Sequence, residues 1–208
     1  MSEATDVVVV GGGPAGAVCA ASLAARGVRV TVLERERFPR FRLGESLLPQ
    51  SMPVFADLGV LDALEAAFLP KYGARFHDDV GGIDIRHDRF PFSGAWKSPP
   101  DHAFQVPRDA FDALLLDHAR GAGADVREGW SATRLLRDGE RTTGVLARTP
   151  EGAETAVHAR FVVDASGRAA LSAHAARATE MIPGLDQTAF YAHFEGVRRG
   201  QGNEEGDI

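Results

Sequence analysis

Three glycines near the start of the chain have the spacing that a phosphate-binding turn requires. Gly11, Gly13 and Gly16 follow a run of valines, and a second apolar run ends in Glu34, about 20 residues further on. Gly11 permits a tight turn, Gly13 lets the backbone approach a pyrophosphate closely, and Gly16 lets a helix pack closely on the preceding strand. The pattern therefore predicts a dinucleotide-binding turn.

The helix that follows the turn offers further groups suited to a nucleotide. Pro14 and Ala15 occupy its first positions, where the missing proline N–H is no loss. Its free N–H groups and the positive end of its dipole favour an anion. Glu34 is then placed to accept hydrogen bonds from ribose hydroxyl groups. The alternative for these residues is a structural strand–helix–strand turn that holds no ligand.

The spacing of apolar residues predicts the elements that must position these groups. The predicted fold class is α/β and Rossmann-like, with a parallel sheet and an antiparallel β insertion over 75–105. That insertion has predicted turns at Gly81-Gly82 and Pro99-Pro100. The other predicted elements are strands at 6–10, 29–33, 161–164 and 188–195, helices at 14–26, 51–58, 61–67 and 106–120, and alternating strands over 125–163.

Composition and charge exclude several classes of protein. The formal net charge of the 208 residues is −6, which argues against a nucleic-acid partner. No apolar run reaches the roughly 18 residues that span a bilayer, and the N-terminus lacks the features of a signal peptide. The single cysteine, Cys19, permits no intrachain disulfide, so we expect a cytoplasmic location. Because no apolar run is long enough to span a bilayer, we expect no membrane partner. The histidines show no zinc-ligand spacing, so no metal site is predicted.

Two motifs later in the sequence indicate which dinucleotide the chain binds. The segment Val106-Pro-Arg-Asp-Ala-Phe-Asp112 opens a predicted helix, and Val163-Asp-Ala-Ser-Gly167 ends a predicted strand. Together with the glycine turn, they resemble the FAD-binding portion of flavoprotein monooxygenases and their relatives. The resemblance implies FAD as cofactor, with Arg108 contacting the flavin nucleotide and with Asp164 and Gly167 near the pyrophosphate. The alternative for Asp164 is that it ends a strand and caps the next helix.

Within that superfamily, two segments resemble the flavin-dependent halogenases. They are Phe38-Pro-Arg-Phe-Arg-Leu-Gly-Glu-Ser-Leu-Leu-Pro49 and Lys71-Tyr-Gly-Ala-Arg-Phe76. The resemblance implies that reduced FAD, dioxygen and halide give hypohalous acid, which halogenates a small aromatic or carrier-bound substrate. It also implies a separate flavin reductase that supplies reduced FAD. Lys71 matches the lysine that carries or polarises the oxidised halogen in that family, and the alternative is a solvated surface lysine.

The loop after Glu34 contains the remaining candidate site residues. Glu45 and Ser46 are expected to shape the passage to the flavin and to contact it, or alternatively to cap a helix near Leu47. Arg35 and Arg42 are candidates to pair with FAD phosphate or ribose groups, or they are charges on a solvated loop.

Two motifs of the halogenases are absent, namely Trp-x-Trp-x-Ile-Pro and a C-terminal Gly-Asp-Ala turn. Gly206-Asp207 has the letters of the second, but no predicted helix follows it. The sequence is therefore expected to be the N-terminal portion of a longer enzyme. One alternative is an aromatic hydroxylase or a reductase of the same superfamily, and another is a non-catalytic FAD-binding fragment. The predicted domain ranges are 1–74 (FAD-binding βαβ and halogenase-type loop), 75–105 (insertion), 106–180 (rest of the FAD-binding domain) and 181–208 (start of a substrate-side sheet and a polar tail).

Overall fold

Two units of the chain fold around separate sets of strands in the computed structural model. The first unit comprises Met1–Phe41 and Asp109–Thr188, and the second comprises Arg42–Arg108 and Ala189–Ile208. This grouping differs from the four ranges predicted from sequence, because residues 69–75 pair with strands inside the predicted insertion. The structure describes residues 3–76, 89–94, 100–185, 188, 190–192, 194–197 and 199–207.

The described residues form five α-helices and ten strands. The helices, in chain order, are α1 (Pro14–Ala24), α2 (Met52–Asp57), α3 (Leu61–Ala67), α4 (Arg108–Gly121) and α5 (Leu171–Ala175). The strands are β1 (Glu3–Val10), β2 (Val30–Glu34), β3 (Leu69–Lys71), β4 (Gly73–Arg75), β5 (Arg89–Pro91), β6 (Ala103–Gln105), β7 (Asp125–Glu128), β8 (Ser131–Asp138), β9 (Arg141–Arg148) and β10 (Glu154–Asp164).

The first unit contains a six-stranded mixed sheet in the order β7-β2-β1-β10-β9-β8. Strands β7, β2, β1 and β10 run parallel, whereas β9 and β8 are antiparallel additions at one side. The valines of β1 and β2 form continuous apolar runs, which suit parallel strands buried on both faces. The predicted α/β class with a mainly parallel sheet is therefore confirmed. A buried core cluster lies within this sheet and consists of Val8, Val10, Leu33, Val145, Ala147 and Val157.

Strand β10 takes part in both antiparallel and parallel pairing. Its first half pairs antiparallel with β9 over residues 154–158, and its second half pairs parallel with β1 up to Asp164. The segment 161–164, which the sequence predicts as a strand, is thus the end of one 11-residue strand. Its last residue, Asp164, lies opposite Val10, where the glycine turn begins.

The second unit contains two small antiparallel pairs. In one, β3 pairs with β6, so that Lys71 lies opposite Ala103. In the other, β4 pairs with β5, and Ala74 lies opposite Phe90. The antiparallel insertion is therefore confirmed, although its pairing begins before residue 75 because β6 is the partner of β3. The predicted turn at Gly81-Gly82 and residue Pro99 of the second predicted turn lie outside the described residues.

The predicted strand over 188–195 is wrong for the residues of that segment that the structure describes. None of the described positions there is in a strand. The side chains of Phe190 and Phe194 are 94% and 77% exposed. A strand also needs a hydrogen-bonded neighbour, and no described strand pairs with this segment.

None of the helices in the described ranges combines the length and the apolar character that crossing a bilayer demands.

Candidate cofactor site and buried lysine

The glycine turn of the first unit depends on contacts that a side chain would block. Gly11 has φ of +103°, and a Cβ atom there would lie 2.4 Å from the carbonyl oxygen of Ala165. A Cβ atom at Gly16 would lie 1.9 Å from the carbonyl oxygen of Gly11. Both positions therefore need glycine for packing alone. The contact with Ala165 also brings the glycine turn against the Asp164–Gly167 motif.

Gly13 differs from the other two glycines because the space beside it is open. Its backbone is extended, with φ of −68° and ψ of −179°, and it immediately precedes α1, whose first residue is Pro14. A Cβ atom at Gly13 would meet only the Nη2 atom of Arg40, at 3.4 Å. The fold thus leaves a cradle at the N-terminus of a helix, with a cation on its border, and these features suit a pyrophosphate. Ala15, next in the helix, is exposed.

Glu34 is held close to the glycine turn. Its side chain is buried, and its Oε2 atom accepts a hydrogen bond of 2.7 Å from the N–H of Gly12. The Oε1 atom accepts a second bond of 2.9 Å from the N–H of Glu36. Each carboxylate oxygen retains acceptor capacity for a ribose hydroxyl. A Cβ atom at Gly12 would lie 3.0 Å from Cβ of Glu34, so Gly12 is a constrained position that the sequence prediction missed.

Arg40 is a second residue that the sequence prediction missed. Its side chain is 10% exposed, and its Nη1 atom donates a 3.1 Å hydrogen bond to Asp112, which is fully buried. The guanidinium also lies over the ring of Phe38, 4.5 Å from the centroid. These contacts fix a cation beside Gly13. Arg35, which the sequence singled out, is 58% exposed and forms an ion pair of 3.5 Å with Glu36.

Asp164 is engaged by four donors of its own chain. One carboxylate oxygen accepts bonds from N and Oγ of Ser166, at 3.1 and 2.5 Å. The other accepts bonds from N and Oγ of Ser172, at 2.6 and 2.5 Å. These contacts link the end of β10 to α5, as in the capping alternative. Gly167 is exposed, with φ of +61°, and a Cβ atom there would meet nothing within 4 Å.

These donors make Asp164 sensitive to acid. Burial raises the pKa of Asp164, but the hydrogen bonds from Ser166 and Ser172 outweigh burial and lower the pKa from 3.8 to about 2. A carboxylate whose pKa is lower in the folded state contributes stability above its unfolded pKa. That contribution is lost as the pH falls through the folded pKa.

We therefore expect Asp164→Asn to lower the free energy of unfolding at neutral pH by on the order of 1 kcal/mol, since solvent screens a partly exposed group. The difference from the parent chain should shrink between about pH 4 and pH 2. Urea unfolding at several pH values measures it. Asp138→Asn, at the exposed end of β8, is the control, and a pH-independent difference for Asp164→Asn would contradict the assignment.

In the second unit, Lys71 is among the most deeply buried large side chains, at 2% exposure. Its Nζ atom donates a hydrogen bond to Oγ of Ser46 and lies 5.0 Å from the ring centroid of Phe92. Burial lowers the pKa of the Lys71 ammonium, and the nearby charge of Asp207 partly opposes that effect. The alternative of a solvated surface lysine is therefore wrong.

The loop that supplies Ser46 is fixed by backbone contacts. Ser46 forms an isolated β-bridge with Gln105, and the carbonyl of Glu45 accepts a 2.7 Å bond from the N–H of Val106. Arg108 donates a 2.9 Å bond from Nη1 to the carbonyl of Leu43. Arg42, at the start of this loop, is half-buried.

Ser46 does not cap a helix. The next helical turn has Leu48 at its N-cap position and begins at Pro49. The structure thus brings the predicted residues Glu45, Ser46 and Lys71 together in one unit. It brings Gly11, Gly13, Glu34 and Asp164 together in the other. Among the described residues, no group of three or more His, Cys, Asp and Glu side chains is arranged to hold a metal ion.

Comparison with known proteins agrees with this arrangement. The model of the FAD binding domain family matches residues 4–194, so the chain belongs to that family. The sequence prediction of FAD as the cofactor is thereby confirmed. The open cradle at Gly13 and the fixed cation of Arg40 fit the pyrophosphate of FAD.

Individual relatives and solved structures indicate a narrower group within the FAD binding domain family. The chain is 35% identical to the tryptophan 2-halogenase of Chondromyces crocatus, over 100% of this chain and 39% of that protein. It is 33% identical to a Pseudomonas fluorescens chlorinase of pyrrole-2-carbonyl-[peptidyl-carrier protein], over 97% of this chain and 48% of that protein. The solved structure of the myxobacterial chondrochloren halogenase matches with a TM-score of 0.73 and 43% identity, over 79% of this chain and 38% of that chain.

These matches confirm the resemblance to flavin-dependent halogenases. The chain spans between 39% and 48% of the length of these two curated relatives.

Proposed function

We propose that the protein carrying this sequence is a FAD-dependent halogenase. The observation that carries the proposal is Lys71, a buried amine bonded to Ser46 in a chain of the FAD-binding family. A lysine is rarely buried without a reason, because desolvating its charge is costly. Here it matches the lysine expected from the halogenase-like segment Lys71–Phe76.

The first unit offers the groups that would hold FAD. The Gly13 cradle and the N-terminus of α1 would receive the pyrophosphate, and Arg40 would pair with it. Glu34 would accept bonds from ribose hydroxyls. Because Asp164 already accepts four internal bonds, its role would be to hold the loop after β10 against the glycine turn.

The reaction can be balanced with these components. When bound, fully reduced FAD would supply two electrons and two protons, so that dioxygen, halide and one further proton give hypohalous acid and water. The remaining work of the protein is to orient the oxidant and exclude side reactions. Lys71 would hold hypohalous acid through a hydrogen bond, or its neutral amine would displace water from that acid and carry the halogen. Arginine could not perform the second task, because it stays protonated.

The substrate class follows from the relatives. Two of them act on tryptophan or on a carrier-bound pyrrole, according to their names. We infer a small aromatic or carrier-bound aromatic substrate for this protein, with halide as co-substrate and a separate flavin reductase as partner. The cytoplasmic location expected from the lone cysteine stays a prediction.

The assay uses the protein with reduced FAD, dioxygen and either chloride or bromide. Phenol, tryptophan and pyrrole-2-carboxylate serve as probes, and mass spectrometry identifies the products. We expect a product with the isotope pattern of the added halogen, and none when sulfate replaces halide. A hydroxylated product that forms equally well without halide would instead support the aromatic hydroxylase.

A further inference from the structure

The last described residues pack tightly against the strand that ends in Lys71. A Cβ atom at Gly206 would lie 2.1 Å from the carbonyl oxygen of Pro70 and 3.1 Å from Cα of Lys71. The carbonyl of Gly206 accepts a 2.8 Å hydrogen bond from Nε2 of Gln105 on β6. The segment is therefore an integral part of the surroundings of Lys71, although its composition suggested a polar tail.

Asp207 follows Gly206 and is buried, with a side chain only 3% exposed. Its Oδ2 atom accepts a 2.6 Å hydrogen bond from Nε of Arg89. Its Oδ1 atom is buried and has no hydrogen-bond partner among the described residues. The carboxylate lies beside Gly73, where a Cβ atom would be 3.2 and 3.3 Å from its two oxygens. A buried carboxylate oxygen without a donor is costly and calls for an explanation.

The ammonium group of Lys71 has more N–H donors than the described residues accept. Its ammonium group has three N–H bonds, and its contacts with described residues are one hydroxyl, that of Ser46, and the face of Phe92. The charge of Asp207 raises the pKa of Lys71 against the effect of burial. Among the described residues, the other charged or titratable groups on or next to the strands and segments that adjoin Lys71 are Glu45, Tyr72, Arg75, Arg89, Asp101, His102, Glu204 and Glu205.

We propose that Asp207 is a positioning residue for Lys71: Arg89 holds one carboxylate oxygen, and the buried carboxylate charge acts on the Lys71 ammonium group through space, since no hydrogen bond joins the two groups in this structure. This charge favours the protonated form of Lys71 against the effect of burial and favours a side-chain orientation towards Ser46 and Asp207. Of the two tasks open to Lys71, this favours donation of a hydrogen bond to hypohalous acid over formation of a haloamine. That catalytic consequence rests on the proposed halogenase function, whereas the effect of the Asp207 charge on Lys71 does not.

The test measures the titration of Lys71 directly. The chain has only two lysines, Lys71 and Lys97, so labelling with lysine that carries ¹³C at Cε gives two signals. Lys97→Arg assigns them, and the chemical shift is followed against pH. We expect Asp207→Asn to move the Lys71 midpoint to lower pH by about one unit, because an opposite charge is removed.

Glu204→Gln is the matched control, since Glu204 is 46% exposed and also forms an ion pair with Arg89. It should move the Lys71 midpoint by less than half as much. An unchanged midpoint in Asp207→Asn, or an equal shift in Glu204→Gln, would overturn the proposal. The Lys97 signal, from the same samples, serves as the internal reference.

A second variant gives a shift of opposite sign and covers the case in which Asp207→Asn fails to fold. Arg89→Gln removes a cation and leaves Asp207 to interact with Lys71 alone, so the Lys71 midpoint should rise. A midpoint that falls or stays constant would overturn the proposal. The titration needs no FAD, halide or substrate. A shift without halogenation by the full-length protein would therefore support the interaction of Asp207 with Lys71 and reject the halogenase function, and the reverse outcome would do the opposite.

Discussion

Replacing Lys71 with methionine is expected to lower halogenation by about 100- to 10,000-fold while FAD remains bound. Methionine nearly fills the volume of the buried side chain but can neither donate a hydrogen bond nor carry a halogen. Lys71→Ala should lose as much activity, with an added loss of stability from the cavity that it leaves. The measurements are halogenated product by mass spectrometry and FAD affinity by fluorescence titration.

Lys97→Ala is the natural control, because Lys97 is the other lysine of the chain and lies outside the described residues. It should halogenate at the parental rate. Retention of activity within about tenfold by Lys71→Met would mean that the buried amine is not part of the chemistry. A parallel loss of FAD binding would indicate instead that the variant disturbs the fold.

Two substitutions in the glycine turn should separate cofactor binding from folding. Gly13→Val is expected to weaken FAD binding by about 10- to 100-fold, because a side chain in the open cradle displaces at least two hydrogen bonds to the pyrophosphate. Its thermal stability without FAD should stay near that of the parent, since the new Cβ atom would meet only Nη2 of Arg40, at an ordinary contact distance of 3.4 Å.

Gly16→Ala is expected to behave in the opposite way. The new Cβ atom would lie 1.9 Å from the carbonyl oxygen of Gly11, so the start of α1 must move away from the turn. We expect a loss of about 3 kcal/mol in the free energy of unfolding, measured by urea denaturation without FAD. Equal stability of Gly16→Ala and the parent, or equal FAD affinity of Gly13→Val and the parent, would contradict this division of roles.

The features that depend on the local sequence pattern could be predicted from the sequence alone. The strands around the glycine turn and helix α1 follow from apolar runs and from the spacing of the glycines. The segment over 188–195 is also rich in aromatic and other apolar residues, but no described strand pairs with it. Pairing is a property of the fold and not of the segment.

The contacts missed from sequence join distant residues. Arg40 and Asp112 are 72 positions apart, and each belongs to a motif that the sequence singled out for another reason. Asp207 lies in a segment of polar and glycine residues, whose composition is typical of exposed chain. In the structure, however, the side chain of Asp207 is only 3% exposed, next to a glycine that packs on Pro70 and Lys71. Charge pairs of this kind require a known fold before they can be recognised.

The length of strand β10 sets where the loop after Asp164 meets the glycine turn. The strand runs unbroken through 11 residues, from the hairpin with β9 to Asp164. Deleting one residue inside β10 would shorten the strand by about 3.3 Å and would turn the side chains after the deletion to the opposite face of the sheet. The turn before β10 is free of that constraint, because Gly152 has open space around it. Homologous chains can therefore vary in length at the hairpin tip, whereas the span from residue 154 to residue 164 is expected to have one permitted length.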